Sequence, residues 1–122
     1  MIGVARTFLI ASILFGLAGM LIGLMMGISG DHSVMPAHAH VMVLGWLSFA
    51  VFAVLYHLFP AAARSLWAKL HCGLALVSAA VMFVAVYLIH GGIAQVDALA
   101  GISSIAYAVS FVLFAIAMRP AL

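Results

Sequence analysis

The stretch Ala37-His38-Ala39-His40-Val41-Met42-Val43-Leu44-Gly45-Trp46 places two imidazoles at the head of an apolar run that continues to Phe59. An uninterrupted run of that length reads as a membrane-spanning helix. An ionisable side chain in such a helix is a functional hypothesis by default, because taking it out of water is costly.

The rest of the chain agrees with the membrane reading. Of 122 residues, 70% are hydrophobic and only 5% are charged, far outside the composition of soluble domains. Since roughly 20 apolar residues cross about 30 Å of hydrocarbon, this length holds four spans and no separate soluble domain. They are expected at about 4–28, 36–59, 66–89 and 96–118, within a single transmembrane domain covering residues 1–122.

The links carry the turn signals. Ser29-Gly30-Asp31-His32-Ser33 closes the first span, Pro60 stops the second, His90-Gly91-Gly92 closes the third, and Arg119-Pro120 ends the fourth. Pro36 is tolerated in a first helical turn, where its missing N–H has no partner to lose. Short links imply antiparallel neighbours, hence an all-α, up-down four-helix bundle. Gly19, Gly23 and Gly27 recur every fourth residue and predict a close helix–helix face.

Charge sets the orientation. Arg6, Arg64, Lys69 and Arg119 fall on the side holding both termini, and Asp31 and Asp97 fall on the other. The positive-inside rule then makes both termini cytoplasmic, in a multi-pass protein of the inner membrane. The net charge of +2 forms no patch and gives no sign of a nucleic-acid partner. The segment after Arg6 lacks an A-x-A-like exit and reads as a retained span, not a signal peptide. Cys72, the one cysteine, makes an intramolecular disulfide impossible and reads as a small packing residue.

The six histidines stand out among so few polar groups. His32, His38, His40 and His90 fall at the outer level, whereas His57 and His71 fall near the cytoplasmic surface. At 100° per residue His38 and His40 are about 200° apart, so they point to opposite sides of one helix. That suits a helix standing between two sites and argues against a single chelated metal, which favours i, i+4 spacing. The plainer alternative has both as interfacial histidines bonded to headgroups, loops or neighbouring helices. His57 lies about 25 Å from His40 along an ideal helix and belongs to another layer. With His71 it would make an inner site, but tips snorkelling to water is the favoured reading for that pair. His32 reads as solvated, and His90 as either a turn residue or a ligand. The eight methionines, Met25, Met26 and Met35 among them, raise copper as an alternative, since thioethers select Cu(I). No acidic residue lies mid-span to form a proton relay.

The segment from Ala37 to Leu44 resembles the H-x-H segment of heme-copper oxidase subunit I, in which two histidines of one inner helix ligate hemes on its opposite sides. Gly45-Trp46 and Tyr56-His57-Leu58-Phe59-Pro60 are similar to second-span segments of the wider oxidase and nitric-oxide-reductase-like group. The specific likeness covers about 25 residues of this sequence. The family's large subunit has twelve helices in three arcs of four, with its ligand-bearing helices second in each arc. The resemblance therefore implies that this chain is a single arc and that a homotrimer rebuilds the twelve-helix layout. Each interface would take His38 from one protomer and His40 from its neighbour, giving three equivalent bis-His sites for heme b iron. His90 would be the one further outer-side ligand. The family's H-P-E-V-Y-like segment and adjacent His-His pair, which hold copper, are missing here, so oxygen or nitric oxide reduction is not expected. The resulting expectation is a b-type heme protein for electron transfer, or heme or gas binding, with a redox partner the sequence does not name. The alternatives are a copper-binding or copper-transport protein and a cofactor-free structural accessory subunit.

Overall fold

The computed structural model describes residues 1–119. Pro120, expected to end the last span, lies outside them. Four helices are long and apolar enough to cross a membrane: α1 (Gly3–Ser29), α2 (Met35–Leu58), α3 (Leu66–His90) and α4 (Asp97–Met118). The shortest has 22 residues, about 33 Å at 1.5 Å per residue, enough for the hydrocarbon layer. A single extra turn, Pro60–Ala63, joins α2 to α3. The chain is a multi-pass, all-helical membrane protein among its described residues, and each helix boundary falls within two residues of the expected one.

Local chemistry explains the ends. Gly30 closes α1 in the left-handed region at φ 73°, where a side chain would be strained, and its N–H donates to Met26 O at 2.9 Å. The Ser65 hydroxyl caps α3 by accepting from the Ala68 N–H at 3.1 Å. Pro60 cannot donate to α2 and opens the short turn after it.

Aromatic layers fix the direction of each helix. Phe8, early in α1, lies 4.9 Å from the His71 ring, early in α3. Tyr56, late in α2, and Phe114, late in α4, complete that layer with ring centroids 5.7 Å apart. Early and late positions sharing one depth require successive helices to run antiparallel, as the short links predict. A second layer deeper in the bundle joins Phe15, Phe49, Phe83 and Tyr107 through edge and stacked contacts. The helices pack mainly as the pairs α1–α2 and α3–α4. Leu14, Leu21, Val77, Ile102 and Ile105 point outward, as a lipid-facing surface requires.

The glycine face is displaced by one turn from its expected place. Cβ atoms added at Gly16 and Gly23 would lie 2.7 Å from Trp46 Cδ1 and 2.9 Å from His38 Cε1, and one at Gly19 would run into Met42. Gly27 has open space around it, because four residues back from His38 the chain is at Val34, before α2 begins. The close face is thus Gly16, Gly19 and Gly23.

α2 is not a uniform α-helix: Val41–Leu47 is wound as a π-helix. The wider turn displaces backbone carbonyls from their usual partners, and in lipid each must find another donor. Ser12 of α1 donates to Trp46 O at 2.8 Å, Tyr107 of α4 to Leu44 O at 2.7 Å, and Ser48 to Val43 O at 2.9 Å. Gly45, within this segment, is pinched between Phe15 and Phe83, whose atoms would lie 2.8 and 2.9 Å from an added Cβ.

Candidate functional site

His38 and His40 both stand in the α-helical turns that precede the π segment, so the angle between them is that of an ordinary helix. Between them and just beyond, Ala37 and Val41 face the bundle, 0% and 4% exposed. At about 100° per residue, His38 lies about 80° to one side of that buried stripe and His40 about 80° to the other. Each imidazole is half-buried on its own flank. The His38 flank is the one against α1.

Both rings are held through Nδ1. His38 Nδ1 donates to Gly19 O at 2.8 Å, and His40 Nδ1 donates to Pro36 O at 2.7 Å. A carbonyl oxygen only accepts, so Nδ1 must carry the proton and Nε2 keeps its lone pair. That is the state in which an imidazole binds a metal, with its second nitrogen fixing ring and tautomer. The close approach at Gly23 leaves the His38 ring the room to reach Gly19 O. His32 is set the same way, with Nδ1 on Gly30 O at 3.0 Å, but in an exposed loop. There the Ser33 backbone N–H, 2.9 Å from Asp31 Oδ1, holds the Asp31 carboxyl below its ordinary value.

His90 ends α3 as an exposed residue with no side-chain hydrogen bond among the described residues. Among those residues no three His, Cys, Asp or Glu side chains converge on one point. His38 and His40 thus stand as two imidazoles on opposite flanks of α2, each held by its own carbonyl. Met25 and Met26, raised by the copper alternative, line one shallow cleft of about 170 Å³ with Asp31, Tyr87 and the turn at Gly91, whereas Met35 is exposed.

At the opposite end the two remaining histidines part company. His57 is exposed, as a snorkelling side chain should be. His71 is not: it is 0% exposed, enclosed by the rings of Phe8, Phe52 and Phe114 at 4.9, 4.7 and 5.3 Å. Phe8 and Phe114 close over it from the first and last helices, which corrects the expectation that it reaches water. Its Nδ1 is 2.9 Å from the Tyr56 hydroxyl, and its Nε2 has no partner among the described residues. This Tyr56–His71 pair was not anticipated from sequence; the two lie 15 residues apart across the second link. Cys72 beside it is a buried free thiol, packed in the core as expected.

No family profile, curated protein or solved structure matches this chain.

Proposed function

We propose that this protein is a b-type heme protein of the cytoplasmic membrane, with iron ligated by Nε2 of His38 and His40 and with both termini in the cytoplasm. The observation that carries the reading is the pair of Nδ1-to-carbonyl hydrogen bonds, which leave two metal-competent nitrogens on opposite flanks of one helix. Opposite flanks cannot serve one iron within a chain, so the second ligand comes from another copy. A homotrimer of four-helix arcs, resembling the heme-copper oxidase core, satisfies this with His38 of one protomer and the partner's His40 at each interface. When bound, heme would supply one-electron redox chemistry, and ligation of its iron by two histidines would favour electron transfer over substrate binding. The protein's own contribution is to hold the imidazoles in the ligating tautomer. His90, exposed at the end of α3, would be a further outer-side ligand.

Metal analysis of the protein purified in mild detergent tests the reading. One iron per chain, carried in extractable heme b, is the expected result. Stoichiometric copper without iron would instead favour copper handling, which the Met25–Met26–Asp31 cleft supports. Absence of both metals from a folded preparation would leave the structural accessory role.

A further inference from the structure

A cleft of about 440 Å³ opens at the end of the bundle opposite His38 and His40, between the start of α1 and the turn that joins α2 to α3. Its walls are mainly apolar, from Ile2, Val4, Ala5 and Pro60, and its polar side chains include His57 and Arg64. Both of these are exposed. This is also the cationic end of the chain: Arg6, Arg64, Lys69 and Arg119 lie here. The only two acidic residues, Asp31 and Asp97, lie at the other end of the helices, so no carboxylate side chain is within reach of Arg64.

A guanidinium with no carboxylate side chain at its end of the bundle, lining an apolar cleft at the level of a membrane surface, is complementary to one kind of molecule present there. That molecule joins a phosphodiester to acyl chains. Arginine matches phosphate oxygens with paired N–H donors, and basic clefts at helix ends on the cytoplasmic side attract anionic lipid headgroups. We infer that this cleft binds an anionic glycerophospholipid, its phosphate on Arg64 and His57 and the start of an acyl chain along Val4, Ala5 and Pro60. The inference is independent of the heme reading, since it uses none of the same residues.

Arg6 provides the control: it is exposed at the same end, with the same charge, but does not line the cleft. In detergent, the thermal midpoint of the full chain is titrated with phosphatidylglycerol, using phosphatidylcholine as the reference lipid. Arg64→Gln should weaken the phosphatidylglycerol preference about fivefold, the effect of one basic side chain near an anionic surface. Arg6→Gln should leave it unchanged. Equal losses in the two variants would mean diffuse surface attraction and would overturn the site, as would equal stabilisation by inorganic phosphate alone. Native mass spectrometry of the unmodified protein gives a test that needs no variant. One phosphatidylglycerol per chain should survive exchange against phosphatidylcholine, and retention of none would refute the proposal.

Discussion

His38 and His40 differ in what they lean on, and that difference makes them separable by mutation. His38 depends on α1 through Gly19 O and the space at Gly23, whereas His40 is fixed within its own helix by Pro36 O. Replacing either by Ala should abolish a six-coordinate heme spectrum, and an unchanged spectrum in both variants would refute their assignment as ligands. Gly23→Ala should perturb the spectrum without removing a ligand, because the new methyl group pushes on the His38 ring. A second prediction concerns the other end of the bundle. Tyr56→Phe strips His71 of its one hydrogen-bond partner and leaves both ring nitrogens buried and unpaired, at a cost of about 1–3 kcal/mol. Thermal unfolding in detergent reads this as a lowered midpoint; an unchanged midpoint would show that the pair contributes nothing to stability.

At the scale of elements, the π segment of α2 is the feature on which α1, α3 and α4 converge. Its displaced carbonyls at Trp46 and Leu44 are bonded by Ser12 and Tyr107. Ser12→Ala and Tyr107→Phe should each destabilise by about 0.6 kcal/mol, the typical worth of an interhelical hydrogen bond in a membrane. Gly45→Ala should cost more, about 1–3 kcal/mol, because it overpacks a site closed by two phenylalanines. Urea- or dodecyl-sulfate-induced unfolding of the three variants checks the order. The four spans could be read from the sequence because hydrophobic run length alone sets them, and Gly30, Pro36 and Pro60 mark their ends by backbone chemistry that needs no partner. The opposed directions of His38 and His40 were legible for the same reason, since helical periodicity is local. The π segment was not. Two of its three side-chain donors, Ser12 and Tyr107, lie 34 and 63 residues away in the chain from the carbonyls they bond, and nothing local to Val41–Leu47 announces them. The Tyr56–His71 pair was hidden likewise, because burial of His71 depends on Phe8 and Phe114 from the two outermost helices.

At the scale of the whole molecule, the antiparallel bundle places all four basic side chains at one end and both acidic ones at the other. In the orientation proposed from the positive-inside rule, the loop after α1 is outside the cell and the turn after α2 inside. A cysteine introduced as Ser33→Cys, in a Cys72→Ala background, should react with an impermeant maleimide in intact cells, whereas Ala61→Cys should react only in inverted vesicles; the reverse pattern would invert the topology. In the proposed reading, assembly completes the site, because the imidazoles of His38 and His40 stand on opposite flanks of α2 and a second copy supplies the other ligand. Mass determination in mild detergent should return three chains with bound heme, and a heme-loaded monomer would move the second ligand onto another helix of the same chain. The most direct test of the central claim is the reduced-minus-oxidised absorption spectrum of the purified protein. Ligation by His38 and His40 should give the sharp α and β bands of a six-coordinate, low-spin b-type heme, and a folded, colourless protein that shows no such bands after heme is supplied during expression would contradict it.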